Sequence, residues 1–275
     1  MASSWFNIRE LADSVIMIQE PLRRLAPDYL TNSMNSYIVY DKKEALLIDC
    51  GTGVYSIYDI ALSILGTRTI VTPFITHNHW DHVGSLYEFD SALLHEKEVT
   101  KLLSDENLDT IREDVIERND PVGTDIENPF IRRQYSGESI HVKDGEWIQV
   151  GKRELQILHL PGHTEGSIGL WYPDEKFLFV GDAFQSGYVY ADEDPKTFYK
   201  TLEKLSELKV GTYFIPSHEE IMLQSKDLEE LEKMFFDLKN GAEPLIHIKN
   251  RYLDNKLMKG EKFSIILPKN NPNSD

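Results

Sequence analysis

The chain has 275 residues, 41% of them hydrophobic, enough to bury a sizeable core in one large domain or two small ones. Its 46 acidic against 29 basic side chains leave a formal charge of −17, a surface that repels phosphate backbones and argues against a nucleic-acid partner. A single cysteine, no apolar run near the ~20 residues of a membrane span and no signal-peptide pattern exclude an intrachain disulfide and argue against insertion or export, so the expectation is a soluble cytoplasmic protein.

In chain order, 14–18 and 37–40 read as strands, and 45–48 pairs with the latter across Asp41-Lys42-Lys43-Glu44. Gly53 opens a helix to Leu65 with Ile57, Ile60, Ala61 and Ile64 on one apolar stripe. Residues 70–75 form a strand, and 83–89 start a helix. Residues 104–139 break the rhythm: they are charge-rich, helical around 111–116, and interrupted at Pro121, Gly123 and Pro129. They read as an inserted lid or a solvated excursion and not as a domain boundary, because the chemistry-bearing residues lie on both sides of them. Strands follow at 147–150, 155–160, 168–172 and 177–180. Asp194-Pro195 starts a helix that buries Phe198, Leu202 and Leu205; another, at 226–239, stops at Asn240-Gly241; 263–267 is a last short strand.

The run Thr76-His77-Asn78-His79-Trp80-Asp81-His82 puts four metal-ligand side chains into six positions directly after an apolar segment. Three imidazoles and a carboxylate this close are expensive to bury without a cation, and such sets suit zinc or a similar divalent ion. A polar loop that is merely rich in histidine would need no partners elsewhere. Here partners recur. Residues 157–160 lead into Pro161-Gly162-His163, 177–180 into Gly181-Asp182, and 213–215 into Pro216-Ser217-His218. Each is a short buried strand, then a turn-forming residue, then a ligand-type side chain, which is where helix-covered sheets collect functional groups.

On these residues the chain resembles the metallo-β-lactamase superfamily hydrolases, over about 15–218. The first loop of that family reads His-x-His-x-Asp-His, followed by a distant His, an Asp and a final His, and every position is present here. The resemblance implies an α/β fold, an αββα sandwich of two mixed β-sheets with helices on both outer faces. It implies a single domain over 1–275, with a C-terminal extension at 219–275. It further implies that His77, His79 and His163 hold one metal and that Asp81, His82 and His218 hold a second, with Asp182 bridging both. The run Leu46-Leu47-Ile48-Asp49-Cys50-Gly51-Thr52-Gly53 is similar to the family's early strand and glycine turn. Its carboxylate, Asp49, either orients a ligand histidine or caps the turn at Gly51.

The expected cofactor is two zinc ions per chain, with iron or manganese as alternative occupants. Two metals sharing a water bring its pKa down to about 7, giving a bridging hydroxide for attack on the carbonyl carbon of a small thioester, ester or lactone. Asp81 is expected both to ligate metal and to orient or shuttle the proton. His79 stands where flavo-diiron relatives carry Glu, and Asp182 stands where narrower β-lactamase branches often carry Cys. The run at 181–190 loosely resembles the acyl-CoA-hydrolase branch, whereas Gln185 replaces a tyrosine usual in lactonases. The alternatives are a mononuclear-iron persulfide dioxygenase and β-lactamase or phosphodiesterase activity. Tyr188 and Tyr190 are candidates to touch substrate or line the pocket. His95, His141, His159 and His247 are assigned to no metal, and no heptad or exposed apolar helix declares an oligomer interface.

Overall fold

The computed structural model describes residues 5–101, 135–191, 194–208, 211–219, 222–243, 246–250 and 253–269. Its first sheet runs in sequence order: β1 (Asn7–Ala12), β2 (Val15–Glu20), β3 (Met34–Asp41), β4 (Glu44–Ile48), β5 (Ile70–Phe74), β6 (Ser91–Leu94) and β7 (Glu138–His141). Pairing is antiparallel from β1 to β4 and parallel from β4 to β7. The second half supplies β8 (Trp147–Val150), β9 (Arg153–His159), β10 (Ile168–Tyr172), β11 (Phe177–Gly181), β12 (Gly187–Tyr190) and β13 (Tyr213–Pro216). All but β12 form the second sheet, in the order β13-β11-β10-β9-β8.

The near-continuous apolar strands follow from burial on both faces. Period-two alternation sends Val15, Met17, Tyr37, Val39, Leu46 and Ile48 into a core between the sheets, where they meet Leu155, Ile157, Leu170, Phe179 and Ile215. The residues between them, such as Ile16, Ile18, Ile38 and Leu47, face an outer core shared with α1 (Leu22–Leu25), α2 (Ile57–Leu65) and α3 (Trp80–Val83). On the far side Leu178, Val180 and Phe214 meet α4 (Pro195–Ser206) and α5 (Ser225–Lys239). Helix, sheet, sheet and helix stack as the expected αββα sandwich. No helix among the described residues is long and apolar enough to cross a membrane.

β1, β6, β7 and α1 have no counterpart in the sequence reading, and three further elements differ from it. The helix expected from Gly53 starts at Ile57, where the Ser56 side chain accepts from the Asp59 N–H; Gly53 instead takes a left-handed φ of 76°. The helix expected over 83–89 is one turn of α3 followed by a 3-10 turn, Leu86–Glu88. Backbone bonds to the glycine loop divert it, from Gly84 N–H to Gly51 O and from Ser85 N–H to Cys50 O. The approach is so close that a Cβ on Gly84 would stand 2.1 Å from the Thr52 carbonyl carbon.

The third difference is a small additional sheet, β12-β16-β15-β14, built with β14 (Ile246–Lys249), β15 (Asp254–Lys259) and β16 (Phe263–Leu267). β12 and β16 pair in parallel, and Phe263 and Ile265 pack into the core around α4 and α5. Most of the insertion expected at 104–139 lies outside the described residues; its last two positions open β7.

Candidate metal centre

Each predicted ligand sits just beyond a strand end, held by bonds between neighbouring loops. Ile168 N–H donates to Thr76 O before His77, and Ser217 N–H donates to Gly181 O beside Asp182. His79 caps α3, and that single turn, closed by His82 N–H to His79 O, brings Asp81 and His82 to the same side as His77. A Cβ at Gly162 would meet the Phe198 backbone at 2.3 Å, so glycine there lets the His163 loop lie directly on α4.

The structure brings all seven expected side chains together, each buried or nearly so. Nε2 of His77, Nδ1 of His79 and Nε2 of His163 form a triangle with edges of 3.1, 3.2 and 3.0 Å. Asp182 reaches His163 at 3.5 Å, His218 at 3.3 Å and His82 at 3.6 Å. Asp81 lies 3.8 Å from His82 and 3.6 Å from His218.

The tautomers can be argued from the partners of the outward nitrogens. Nδ1 of His163 bonds the Tyr190 carbonyl at 2.9 Å, and Nδ1 of His218 bonds the Ser33 carbonyl at 2.7 Å. A carbonyl only accepts, so both nitrogens carry hydrogen, and in a neutral ring the inward Nε2 is then a lone pair. His82 is held the same way by Asp49, at 2.8 Å. Nδ1 of His77 meets the Thr76 hydroxyl at 3.1 Å. Converging lone pairs repel each other unless a cation or a proton lies between them. Nitrogens held tetrahedrally at ~2.05 Å from zinc stand ~3.3 Å apart, close to the observed triangle. His82 Nε2 and Asp182 Oδ1 are buried without any hydrogen-bond partner. The donor set therefore fits a divalent cation.

Electrostatics divide the site. Burial, then the neighbouring imidazoles of His82, His79 and His163, push His77 well below the ordinary histidine value. Burial also pulls against protonation of His82, but Asp49, Asp182 and Asp81 outweigh it and raise that group. For His218 burial is likewise overcome, by Asp182 and Asp81, and the imidazole is pushed up to about 10. Burial opposes the charge of Asp182, yet His218, His82 and His163 hold it well below the usual carboxylate range. The upward shifts of His82 and His218 mark where the surrounding carboxylates call for positive charge.

Asp49, with a left-handed φ of 61°, does more than either role left open for it. Besides His82, it accepts from Thr76 N–H at 2.8 Å, the Thr76 hydroxyl at 2.9 Å and the Ser217 hydroxyl at 3.1 Å. The glycine turn is held instead by Glu20, which accepts from Thr52 N–H and its hydroxyl at 2.9 and 2.6 Å and from Trp5 Nε1 at 2.9 Å. The Tyr190 ring lies edge-on to His163 at 6.4 Å, and Tyr188 shares that face of β12, half-buried. Trp80 turns away from the ligands and packs edge-on against Tyr29 at 6.1 Å in the outer core. His159 stacks on His95 at 4.7 Å, outside the cluster. Nothing in the sequence marked Thr76, Ser217, Glu20 or the buried Glu98, since each looks like an ordinary polar residue until its neighbours are known.

The profile of the Metallo-beta-lactamase superfamily matches residues 32–218. Acyl-coenzyme A thioesterase MBLAC2 of Gallus gallus is 30% identical over 199 residues, 68% of this chain and 68% of that one. A hydroxyacylglutathione hydrolase of Francisella tularensis is 26% identical over 198 residues, 70% of this chain and 66% of that one. Among solved structures, a metallo-beta-lactamase family protein from Thermus thermophilus superposes with a TM-score of 0.61 at 22% identity, covering 82% of this chain and 80% of its own.

Proposed function

This chain belongs to the metallo-β-lactamase superfamily, and from that premise we propose that it is a dinuclear zinc hydrolase acting on thioesters of small organic acids. The observation that carries this reading is the convergence of inward lone pairs, with His82 Nε2 and Asp182 Oδ1 buried and unpartnered. The thioester preference is supported by the names of the relatives, both of which describe acyl groups on a larger carrier.

In this reading His77, His79 and His163 would hold one ion and Asp81, His82 and His218 the other, with Asp182 placed between the two sets. When bound, such a pair supplies a nucleophile at neutral pH and a Lewis acid for the carbonyl oxygen, so no activated serine or cysteine is needed. The remaining work belongs to the chain. Asp49 and the carbonyls of Tyr190 and Ser33 fix the rings of His82, His163 and His218, so that no reorientation is required during turnover. Asp81, facing His82 and His218, takes the proton of the attacking water and passes it to the departing thiolate. Tyr188 and Tyr190 line the wall beside His163. The charge of −17 favours small-molecule substrates over nucleic acids, and the single buried Cys50 fits a cytoplasmic setting.

A mononuclear-iron dioxygenase would use the three-histidine set with Asp182 and leave His82 and His218 without a task. Metal analysis combined with a substrate panel tests the choice. About two zinc ions per chain are expected, with acyl-CoA or acyl-glutathione turned over at higher kcat/KM than lactones, β-lactams or phosphodiesters. One iron per chain with oxygen uptake on a persulfide would overturn the reading.

A further inference from the structure

Glu98 lies fully buried in the 3-10 turn Glu96–Lys101 that follows β6. One carboxylate oxygen accepts from the Thr164 hydroxyl at 2.9 Å and from Gly166 N–H at 2.8 Å. The other accepts from Asn78 N–H at 3.0 Å, and the Glu98 backbone carbonyl accepts from the Asn78 side-chain amide at 2.8 Å. Asn78 is the residue between His77 and His79, and Thr164 directly follows His163. Glu98 thus joins the two loops that carry the three-histidine triangle, at positions next to the ligands themselves.

Two further observations agree. Glycine at 166 makes room for the approach, because a Cβ there would stand 2.4 Å from Glu98 Oε1. The Glu98 turn and the segment around His163 meet again at the surface, where His95 stacks on His159 and Lys97 pairs with Glu165. Among the described residues, Glu98 is held by hydrogen-bond donors and not by a lysine or arginine. A carboxylate is costly to bury in that way, and this one is placed where two loops remote in sequence must keep their spacing.

We propose that Glu98 is a positioning residue for the three-histidine half of the site. It sets the separation of His79 from His163, and so the cation affinity of that half, independently of the half made by Asp81, His82 and His218. The proposal rests on the reading of the seven side chains as a metal centre.

The test isolates each half in the full chain. On a His218→Ala background the three-histidine half is read alone; on a His163→Ala background the other half is. Zinc affinity comes from chelator competition, and ligand geometry from the visible bands of the cobalt-substituted protein. Glu98→Gln keeps an acceptor for Thr164 and Gly166 but turns its NH2 toward the Asn78 N–H. It should weaken zinc binding about 10–100-fold on the first background and shift the cobalt bands, the range found for outer partners of metal ligands. On the second background the change should stay within about twofold. Gly166→Ala, which displaces the carboxylate without removing it, should act in the same direction and carries the test if Glu98→Gln does not fold. Equal loss on both backgrounds, or none on either, overturns the proposal. A wild-type chain that takes up neither zinc nor cobalt overturns the metal-centre reading and this proposal with it. Uptake by the wild type with both variants unchanged overturns this proposal alone.

Discussion

Asp182→Asn should lower kcat/KM for thioester hydrolysis by about a thousandfold or more, equivalent to about 4 kcal/mol of transition-state stabilisation. The substitution keeps the volume of the side chain and removes its charge from the centre of the cluster. Asp182 oxygens lie 3.3–3.6 Å from the inward nitrogens of His218, His163 and His82, so among the described residues no other stands between the two halves in the same way. Zinc content should fall from about two per chain toward one. Chelation of the wild type should abolish the same activity, and zinc should restore it. An undiminished rate in Asp182→Asn, measured beside its zinc content, would remove the bridging role.

The second large effect is on stability. Asp49→Ala should cost about 3–5 kcal/mol, as expected when one partner is deleted from a buried polar network. Four donors lose their acceptor at once: Thr76 N–H, the Thr76 and Ser217 hydroxyls, and His82 Nδ1. The left-handed backbone at 49 adds to the loss, because aspartate and asparagine tolerate it better than alanine does. Against a typical total of about 5–15 kcal/mol this is a large fraction. Asp49→Asn should fall between the two. Urea unfolding in the presence of chelator reads the effect free of metal binding, and a difference below about 1 kcal/mol would reject it.

What was legible beforehand has a physical reason. Strands covered on both faces, such as 45–48 and 177–180, must be apolar throughout, and the turn residues at their ends announce where ligands lie. The seven cluster residues were readable because imidazoles and carboxylates so closely spaced have few other uses. The additional sheet was not readable: β14 is mostly exposed, and β15 carries Asp254, Asn255 and Lys256 among its half-buried positions. Its strands are defined by their pairing, not by an apolar pattern. Glu20 and Glu98 were hidden for a related cause. A carboxylate in a charged stretch reads as surface, and only the tertiary fold delivers the N–H and O–H groups that allow its burial. The path of residues 83–89 depended on a backbone crossing between Gly84 and Thr52, a contact invisible to local periodicity.

The parallel pair of β12 and β16 bears on how the protein matures. The carbonyl that orients His163 belongs to Tyr190, and among the described residues β12 has β16 as its sole sheet neighbour. A nascent polypeptide still lacking residues 263–267 would leave that carbonyl without its supporting strand. Ribosome-stalled chains truncated before 263 should therefore capture zinc less firmly than released ones, and equal capture would refute this. On this geometry firm capture of an ion would wait for synthesis of residues 263–267.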